Sequence, residues 1–439
     1  MNDRHPDRET LQRFLADELT DEQDLALQRH VFTCPDCEER LTALLSSPAE
    51  SPADVEFRGR LVAGEQTLAD LAAERAAAAG WWLELQRRDP EERKRLVWED
   101  PAYQTWGLLE LLIDRSRQVL PQDPRQAEDL VRLALDVSEN LDTGVYGFAA
   151  VETAKVKAWT HLGNTLRVLA DFRRAEQAFQ IAELHFSRSW LDPVDEALIL
   201  EYKAPIRRAQ GRYDEALEML DDAIALYREV NEPHHQGRAL MVKGLTLQYK
   251  GDLEAAAECF RQSLFLLDGE REPRLLVVGQ YNLVNCLHDG GRSAEAATLI
   301  PEAKALLTEV GRRTDLLRLR WTEGKIAAAL GHPGEAERAF REVREAFAED
   351  SLAFDAALVS LDLATLYLRQ RRLEETKPLA AEMLRIFRSC EVSREALAAL
   401  IVLQQAAEME QLTLGLVEEV AAYLKEARND PHLRFRGEA

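Results

Sequence analysis

Four histidine and cysteine residues near the start of the 439-residue chain have the types and spacing of metal ligands. Cys34 and Cys37 form a Cys-x-x-Cys pair, and three residues separate His30 from the first of them. His5 is the other candidate ligand nearby. Structural zinc sites usually have four tetrahedral nitrogen and sulfur ligands. The spacing therefore predicts a structural zinc site formed by His5, His30, Cys34 and Cys37.

Short helices are predicted to position these ligands. Three segments within residues 1–47 carry apolar residues at helical spacing, and the second of them follows a helix-start signal at Thr20. The apolar positions are Leu11, Phe14, Leu15, Leu19, Leu25, Leu27, Leu41, Leu44 and Leu45. So small a unit buries too little apolar surface to be stable alone. Zinc would supply on the order of 10–16 kcal/mol of apparent binding energy.

This head resembles the zinc-containing anti-sigma factor domain over residues 1–47. The hallmark of that domain is His-x3-Cys-x2-Cys with a cysteine or histidine upstream. The matching positions are His5, Pro6, Asp7, Leu11, Phe14, Leu15, Glu18, Leu19, His30, Val31, Cys34, Pro35, Asp36, Cys37 and Leu41. The resemblance implies a helical zinc domain that clamps a sigma factor and keeps it from core RNA polymerase.

Two questions about the head stay open at this point. In some members of that family, oxidation of the cysteines releases the sigma factor, but His5 stands where many members have a cysteine. Cys34 and Cys37 could still oxidise together, although we favour a purely structural zinc. Alternatively, the zinc only stabilises the fold of the head, and the head recruits some other partner.

The composition predicts an all-α protein and excludes several classes of function. The chain is rich in Ala, Leu, Glu and Arg and poor in Gly, Pro and aromatic residues. A net charge of -23 argues against binding to free nucleic acid. No apolar stretch reaches the roughly 20 residues of a membrane helix, and the N-terminus is polar. We therefore expect no membrane partner and a cytoplasmic protein.

The segments between the head and the repeats have distinct compositions. Two prolines and small polar residues predict a hinge at 48–56. Residues 57–99 are predicted to form a long amphipathic helix, interrupted at Asp89-Pro90, that could cap the array or fold back on a partner. The three remaining cysteines, Cys259, Cys286 and Cys390, lie in apolar helical patterns and are interpreted as core residues. A polar tail is predicted at 431–439.

Residues 100–430 repeat a helical pattern about seven times. Gly211, Gly251, Gly291 and Gly331 are 40 residues apart. One unit has the residues Trp159, Leu162, Gly163, Phe172, Ala175, Phe179 and Ala182. This unit resembles the tetratricopeptide repeat, whose usual length is about 34 residues. The resemblance implies an α-solenoid, a right-handed superhelix of antiparallel helical hairpins with helices A and B.

In tetratricopeptide arrays helix A lines the groove, and the resemblance therefore implies a set of groove positions. The register puts Glu201, Gln248 and His288 at such positions. The ten residues that we take as candidate partner contacts are Lys157, Asn164, Arg167, Arg208, Arg238, Tyr281, Asn285, Arg318, Trp321 and Lys325. Most of them are basic or carry an amide, which suggests recognition of an acidic peptide or helix. Alternatively, the long arginine side chains only solvate a helix face.

These observations predict a non-enzymatic transcription regulator. Its zinc head would sequester a sigma factor, and its repeat array would recruit or sense a second protein. The alternative is a scaffold whose head is only a structural cap and whose basic groove binds an acidic peptide. The sequence has no Gly-rich phosphate loop and no Gly-x-Ser-x-Gly nucleophile motif, so we predict no enzymatic activity.

Overall fold

The described part of the protein is helical. The structure is a computed structural model, and it describes residues 5–6, 10, 68–389, 394–409, 411–427 and 435. These residues contain nineteen α-helices, two short 3-10 helices and no β-strand. None of their helices is long and apolar enough to cross a membrane. The predicted all-α fold is confirmed for this part of the chain.

Several predicted segments lie wholly or mostly outside the described residues. They include most of the head of residues 1–47, the hinge at 48–56 and most of the tail at 431–439. The predictions made for these segments therefore stay predictions.

The chain divides into two compact units, Met1–Thr246 (unit 1) and Leu247–Ala439 (unit 2). The helices of unit 1 are α1 (Leu68–Leu85), α2 (Pro90–Glu99), α3 (Trp106–Val119), α4 (Pro124–Glu139), α5 (Thr143–Tyr146), α6 (Phe148–Val168), α7 (Phe172–Phe186), α8 (Pro193–Ala209), α9 (Tyr213–Glu229) and α10 (Pro233–Lys250), which runs past the division. A 3-10 helix, Pro101–Tyr103, precedes α3.

Unit 2 continues the same alternation of helices. Its helices are α11 (Leu253–Leu266), α12 (Pro273–Asp289), α13 (Ser293–Val310), α14 (Arg313–Ala329), α15 (Pro333–Glu349), α16 (Ala353–Arg369), α17 (Thr376–Ser389), α18 (Arg394–Glu408) and α19 (Leu414–Ala427). The second 3-10 helix, Leu373–Glu375, precedes α17. From α6 to α17, helices A and B alternate, with α6, α8, α10, α12, α14 and α16 as the A helices.

Helix A and helix B cross closely where a glycine lies at the crossing. A Cβ atom on Gly163 would lie 2.8 Å from the ring of Phe179, and one on Gly324 would lie 2.7 Å from the ring of Phe340. Both rings are buried in the cores between helices. Because real Cβ contacts are not this short, a larger residue at either position would force the two helices apart.

The turn between helix A and helix B has a residue in the left-handed conformation. Four glycines adopt it, and their φ values are +73° at Gly211, +94° at Gly251, +77° at Gly291 and +81° at Gly331. At Gly251 the turn is closed by two backbone hydrogen bonds, from its own N–H to Gln248 and from Asp252 to Leu247. This pattern is the Schellman motif, which ends a helix and satisfies its last carbonyl groups.

Two hairpins make the same turn without glycine. Ala170 has a φ of +60° and Arg371 a φ of +61°, and both stand at the turn positions of their hairpins. A residue with a Cβ atom costs roughly 1–2 kcal/mol in this conformation. The glycine spacing alone therefore identified four of these six turns.

The predicted cap segment of residues 57–99 contains two helices in its described part. Pro90 begins α2, and the side chain of Asp89 accepts a hydrogen bond from the backbone N–H of Glu92 as its N-cap. Arg93 donates from Nε to the carbonyl of Leu85, at the end of α1. Because proline lacks an N–H and aspartate caps the next helix, the chain cannot continue one helix through this point.

Helix α1 packs closely on α3 and is fixed there by a partly buried carboxylate. A Cβ atom on Gly107 would lie 2.6 Å from the backbone of Glu74. The side chain of Glu74 accepts hydrogen bonds from the N–H of Gly107 at 3.2 Å and from the hydroxyl of Tyr146 at 2.8 Å. Helix α1 is thus part of the folded core of unit 1 rather than a free extension.

We predict that Gly251→Ala destabilises the protein by about 1 kcal/mol, because alanine disfavours the left-handed backbone. No atom lies within 4 Å of the added methyl group, so the effect would come from the backbone alone. Arg371→Gly should stabilise by about 0.5 kcal/mol for the opposite reason. Urea unfolding followed by circular dichroism would measure both changes.

Gly334→Ala is the matched control, because it adds a methyl group in equally open space at a residue without positive φ. It should leave stability unchanged or raise it slightly. If Gly251→Ala proved as harmless as Gly334→Ala, the left-handed turn would not constrain the repeat.

Candidate functional site

The predicted groove residues all lie on A helices, and we call this set the A-helix face. In unit 1, Lys157, Asn164 and Arg167 lie on α6, Arg208 lies on α8 and Arg238 lies on α10. The other five lie in unit 2, with Tyr281 and Asn285 on α12 and Arg318, Trp321 and Lys325 on α14. Each unit therefore presents its own part of the A-helix face.

Lys157 is paired with a carboxylate one repeat further along the chain. Its Nζ lies 2.6 Å from Oδ1 of Asp195, which is buried on α8. Burial opposes a charged amine, but the negative charge and hydrogen bond of Asp195 outweigh it and raise the pKa of Lys157. The lysine is therefore a charged partner of α8, not only a solvated side chain.

Arg238 belongs to a buried polar network. Its Nη2 lies 3.0 Å from Oε1 of Glu201 and donates to the hydroxyl of Tyr202 at 3.0 Å. The other oxygen of Glu201 accepts the hydroxyl hydrogen of Tyr227 at 3.0 Å. Burial and the charge of Glu201 raise the pKa of Tyr227 far above its usual range. The network joins α8, α9 and α10.

Asn164 and Arg167 form a different arrangement on α6. The amide oxygen of Asn164 accepts two hydrogen bonds from Arg167, at 3.1 Å from Nε and 2.7 Å from Nη2. Asn164 is buried and Arg167 is half-buried. Burial and the positive charge of Arg208 lower the pKa of Arg167 from its usual value. A neutral group, not a carboxylate, thus orients this guanidinium.

His161 is buried beside these residues on α6. Its ring meets the ring of Tyr202 edge to face, with centroids 5.7 Å apart. Burial lowers the pKa of His161 well below 6.5, and the positive charges of Arg117, Lys157 and Arg238 lower it further. The imidazole is therefore neutral at pH 7.

In unit 2 an aromatic side chain organises the A-helix face. The indole Nε1 of Trp321 donates to Oδ2 of Asp362 at 2.6 Å, and Nζ of Lys325 lies 4.3 Å from the Trp321 ring centroid. The same lysine lies 3.7 Å from Asp362. Trp321 is therefore held by a hydrogen bond at one edge and by a cation over its face.

The other predicted residues of unit 2 also contact neighbouring repeats or their own helix. Asn285 donates to the carbonyl of Tyr281 at 2.8 Å and accepts from the hydroxyl of Thr322 at 3.0 Å. Arg318 lies 3.9 Å from Asp355, a longer ion pair with a partly exposed arginine. This pair should add little stability.

Glu201 was the one carboxylate at a predicted groove position, yet four carboxylates on the A helices pair with cations of this face. Asp195, Glu201, Asp355 and Asp362 pair with predicted groove cations that stand 37 or 38 residues away in the sequence. That separation is close to the 40-residue repeat, and it is the sequence signal that could have identified these carboxylates. The unit 1 face has four cations and two of these carboxylates, whereas unit 2 has two of each.

The predicted zinc site is not tested by the described residues. His30, Cys34 and Cys37 lie outside them, and only His5 of the four ligands lies within. Among the described residues, no three His, Cys, Asp or Glu side chains are grouped to hold a metal ion. Cys259 and Cys286 are buried in helices, as predicted, and Cys390 lies outside the described part.

The family comparison identifies repeats in the middle of the chain. Residues 195–266 match the family model of the tetratricopeptide repeat. This match covers all of α8 except its first two residues and all of α9, α10 and α11. The network of Arg238 and Glu201 lies within it, on α8, α9 and α10. No curated protein matches the chain. The predicted tetratricopeptide-like solenoid fold is confirmed for the described residues.

Three solved structures are similar to the chain at low identity. A signal transduction ATPase with a tetratricopeptide repeat sensor, from Pyrococcus horikoshii, is 14% identical, with a TM-score of 0.49, over 94% of this chain and 74% of that one. Aspartyl phosphate phosphatase F of Bacillus subtilis is 12% identical, with a TM-score of 0.47, over 88% and 96%. A Rap protein complexed with competence and sporulation factor is 13% identical, with a TM-score of 0.49, over 73% and 87%.

We predict that Arg238→Met destabilises unit 1 by about 3–5 kcal/mol, because it removes the cation that lies 3.0 Å from the buried carboxylate of Glu201. Arg318→Met, the matched control in unit 2, removes a cation from a longer and more exposed pair and should cost less than about 1 kcal/mol. Urea unfolding would compare the two variants. Equal losses of unfolding free energy in the two variants would mean that the Arg238 network does not stabilise unit 1 more than the exposed ion pair stabilises unit 2.

The low pKa of His161 predicts a loss of stability in acid. The unfolded chain binds the proton near pH 6.5, whereas the folded chain does so only at lower pH, so the free energy of unfolding falls as pH drops below about 6.5. The slope is at most about 1.4 kcal/mol per pH unit for one proton. His161→Gln should reduce this slope in urea unfolding between pH 7.5 and 5.5. An unchanged slope would assign the acid effect to other groups.

Proposed function

We propose that this protein is a non-enzymatic regulator that binds a segment of a partner protein on the A-helix face. The observation that supports this most directly is the fixed arrangement of its polar side chains. Lys157, Arg167 and Arg238 are each held by hydrogen bonds or ion pairs from neighbouring groups. Side chains ordered before binding lose less conformational entropy when a partner arrives.

The chemistry of the two units favours different parts of a partner. The excess of cations on the unit 1 face suits an acidic peptide or helix. The unit 2 face has equal numbers of the paired cations and carboxylates, but it also has Tyr281 and Trp321, which are aromatic residues of the type that anchors protein segments. The partner proposed is therefore a protein and not a nucleic acid.

A photocrosslinking experiment would test which face binds. Benzoylphenylalanine would replace Tyr281 on helix A in one variant and Phe265 on helix B in the other, because both are aromatic positions in unit 2. Phe265 is 88% exposed, so it is a fair control for accidental capture. We expect a partner to crosslink from Tyr281 and not from Phe265. Crosslinking from Phe265 alone would move the binding surface to the B helices.

A second proposal concerns the head, and the spacing of His30, Cys34 and Cys37 supports it. We propose that these residues and His5 bind a structural zinc ion, since two imidazoles and two thiolates suit tetrahedral zinc. The head would sequester a sigma factor in the cytoplasm while the array recruits or senses the second protein. In the competing proposal the zinc only stabilises the fold of the head, and the array alone recognises the partner protein.

These proposals for the head differ in a capture experiment with the full-length chain. The wild type would be compared with the Cys34→Ser, Cys37→Ser double variant, and zinc would be measured on both. Capture of a sigma factor by the zinc-loaded wild type alone would support the anti-sigma proposal. Capture of the same non-sigma partner by both would support the scaffold, and a wild type without zinc would contradict both.

A further inference from the structure

We propose that Arg167, oriented by Asn164, is the receptor for a carboxylate group of the partner. This inference deepens the proposed function, because it names the chemical group that unit 1 binds and the residue that binds it. It rests on the proposed use of the A-helix face.

Arg167 differs from Lys157 and Arg238 in the group that holds it. Lys157 and Arg238 already contact the buried carboxylates Asp195 and Glu201. Among the described residues, no carboxylate lies within 4.0 Å of the Arg167 guanidinium, whose hydrogen bonds go to the amide oxygen of Asn164. An incoming anion can therefore neutralise its charge without displacing a carboxylate of this chain.

The geometry leaves a suitable edge of the guanidinium for a ligand. Nε and one N–H of Nη2 point to Asn164, which leaves the other N–H of Nη2 and both of Nη1 as donors. Two parallel N–H groups on that edge match the two oxygens of a carboxylate. Because Asn164 is buried and holds the other edge, the fork is positioned before the ligand arrives.

The charges around Arg167 also favour an anion. Burial makes the charged guanidinium less favourable, and Arg208 on α8 adds a second positive charge to its surroundings. The nearby negative charge of Glu201 offsets this in part, but Glu201 is already bound to Arg238 and Tyr227. A bound carboxylate would reduce the remaining repulsion between the two arginines.

A carboxylate can come from acidic side chains or from a peptide C-terminus, so two probes are needed. The first is fluorescein-labelled hexaglutamate with an amidated C-terminus. The second is a labelled (Gly-Ser)3 peptide with a free C-terminus. Fluorescence anisotropy with the full-length chain at about 0.15 M ionic strength would measure the dissociation constants, since charged contacts are strongly screened at higher salt.

Two substitutions separate the receptor from general charge effects. Arg167→Gln removes the fork, and Asn164→Asp places a carboxylate of the chain where the fork already donates. Arg173→Gln is the matched control, because it removes an exposed arginine of unit 1 from helix B. We expect Arg167→Gln and Asn164→Asp to weaken binding about tenfold or more, and Arg173→Gln to leave it within about twofold.

The stability of the variants makes the result interpretable. Asn164→Asp should keep or raise the unfolding midpoint, because it creates an ion pair with Arg167, so its loss of binding could not be blamed on unfolding. Arg167→Lys should restore little of the affinity, because lysine has the charge without the fork.

Each outcome of the binding experiment decides the inference. Binding of either probe with loss in both variants supports it, and the probe that binds identifies the source of the carboxylate. Equal binding by wild type, Arg167→Gln and Asn164→Asp overturns it, as does a wild type that binds neither probe. If crosslinking from Tyr281 nevertheless captures a partner, the A-helix face is still the binding surface and only the carboxylate receptor is wrong.

Discussion

The left-handed turn between helix A and helix B determines where the other side chains of each repeat lie. It ends helix A within two residues and returns the chain so that helix B packs closely on it, as at Gly163 and Phe179. Because the turn recurs every 40 residues, equivalent positions on successive A helices face each other. The pairing of Lys157 with Asp195 depends on that repeated register.

Much of this architecture follows from the sequence. The glycine spacing predicts the turns at Gly211, Gly251, Gly291 and Gly331, and the small-residue pattern predicts the close helix crossings. The turn at Arg371 was not identified from the glycines, because a residue with a Cβ atom adopts the left-handed conformation there. The same two backbone hydrogen bonds close it, from Arg371 to Leu368 and from Arg372 to Tyr367. The glycine preference thus predicts four of the six turns, and the other two form without it.

The site was less predictable than the fold, and the reason is electrostatic. A register argument places Arg238 on the A-helix face, but it treats each side chain alone. Whether an arginine is available depends on the residue one repeat away, and for Arg238 that residue is the buried Glu201. For Arg167 the neighbour is the neutral amide of Asn164 in the same helix, 2.7 Å from Nη2. Two arginines that look alike in sequence therefore have different surroundings.

The contrast between local and total charge also limits how an acidic partner could be recognised. The chain has a formal net charge of -23, so an acidic segment is repelled on average as it approaches. Charges on exposed surfaces are screened beyond about 8 Å at physiological ionic strength. Attraction of an acidic segment to the unit 1 face would therefore act only at short range, close to its cations. Such a face selects for complementary geometry more than for rapid capture, because long-range steering works against the ligand.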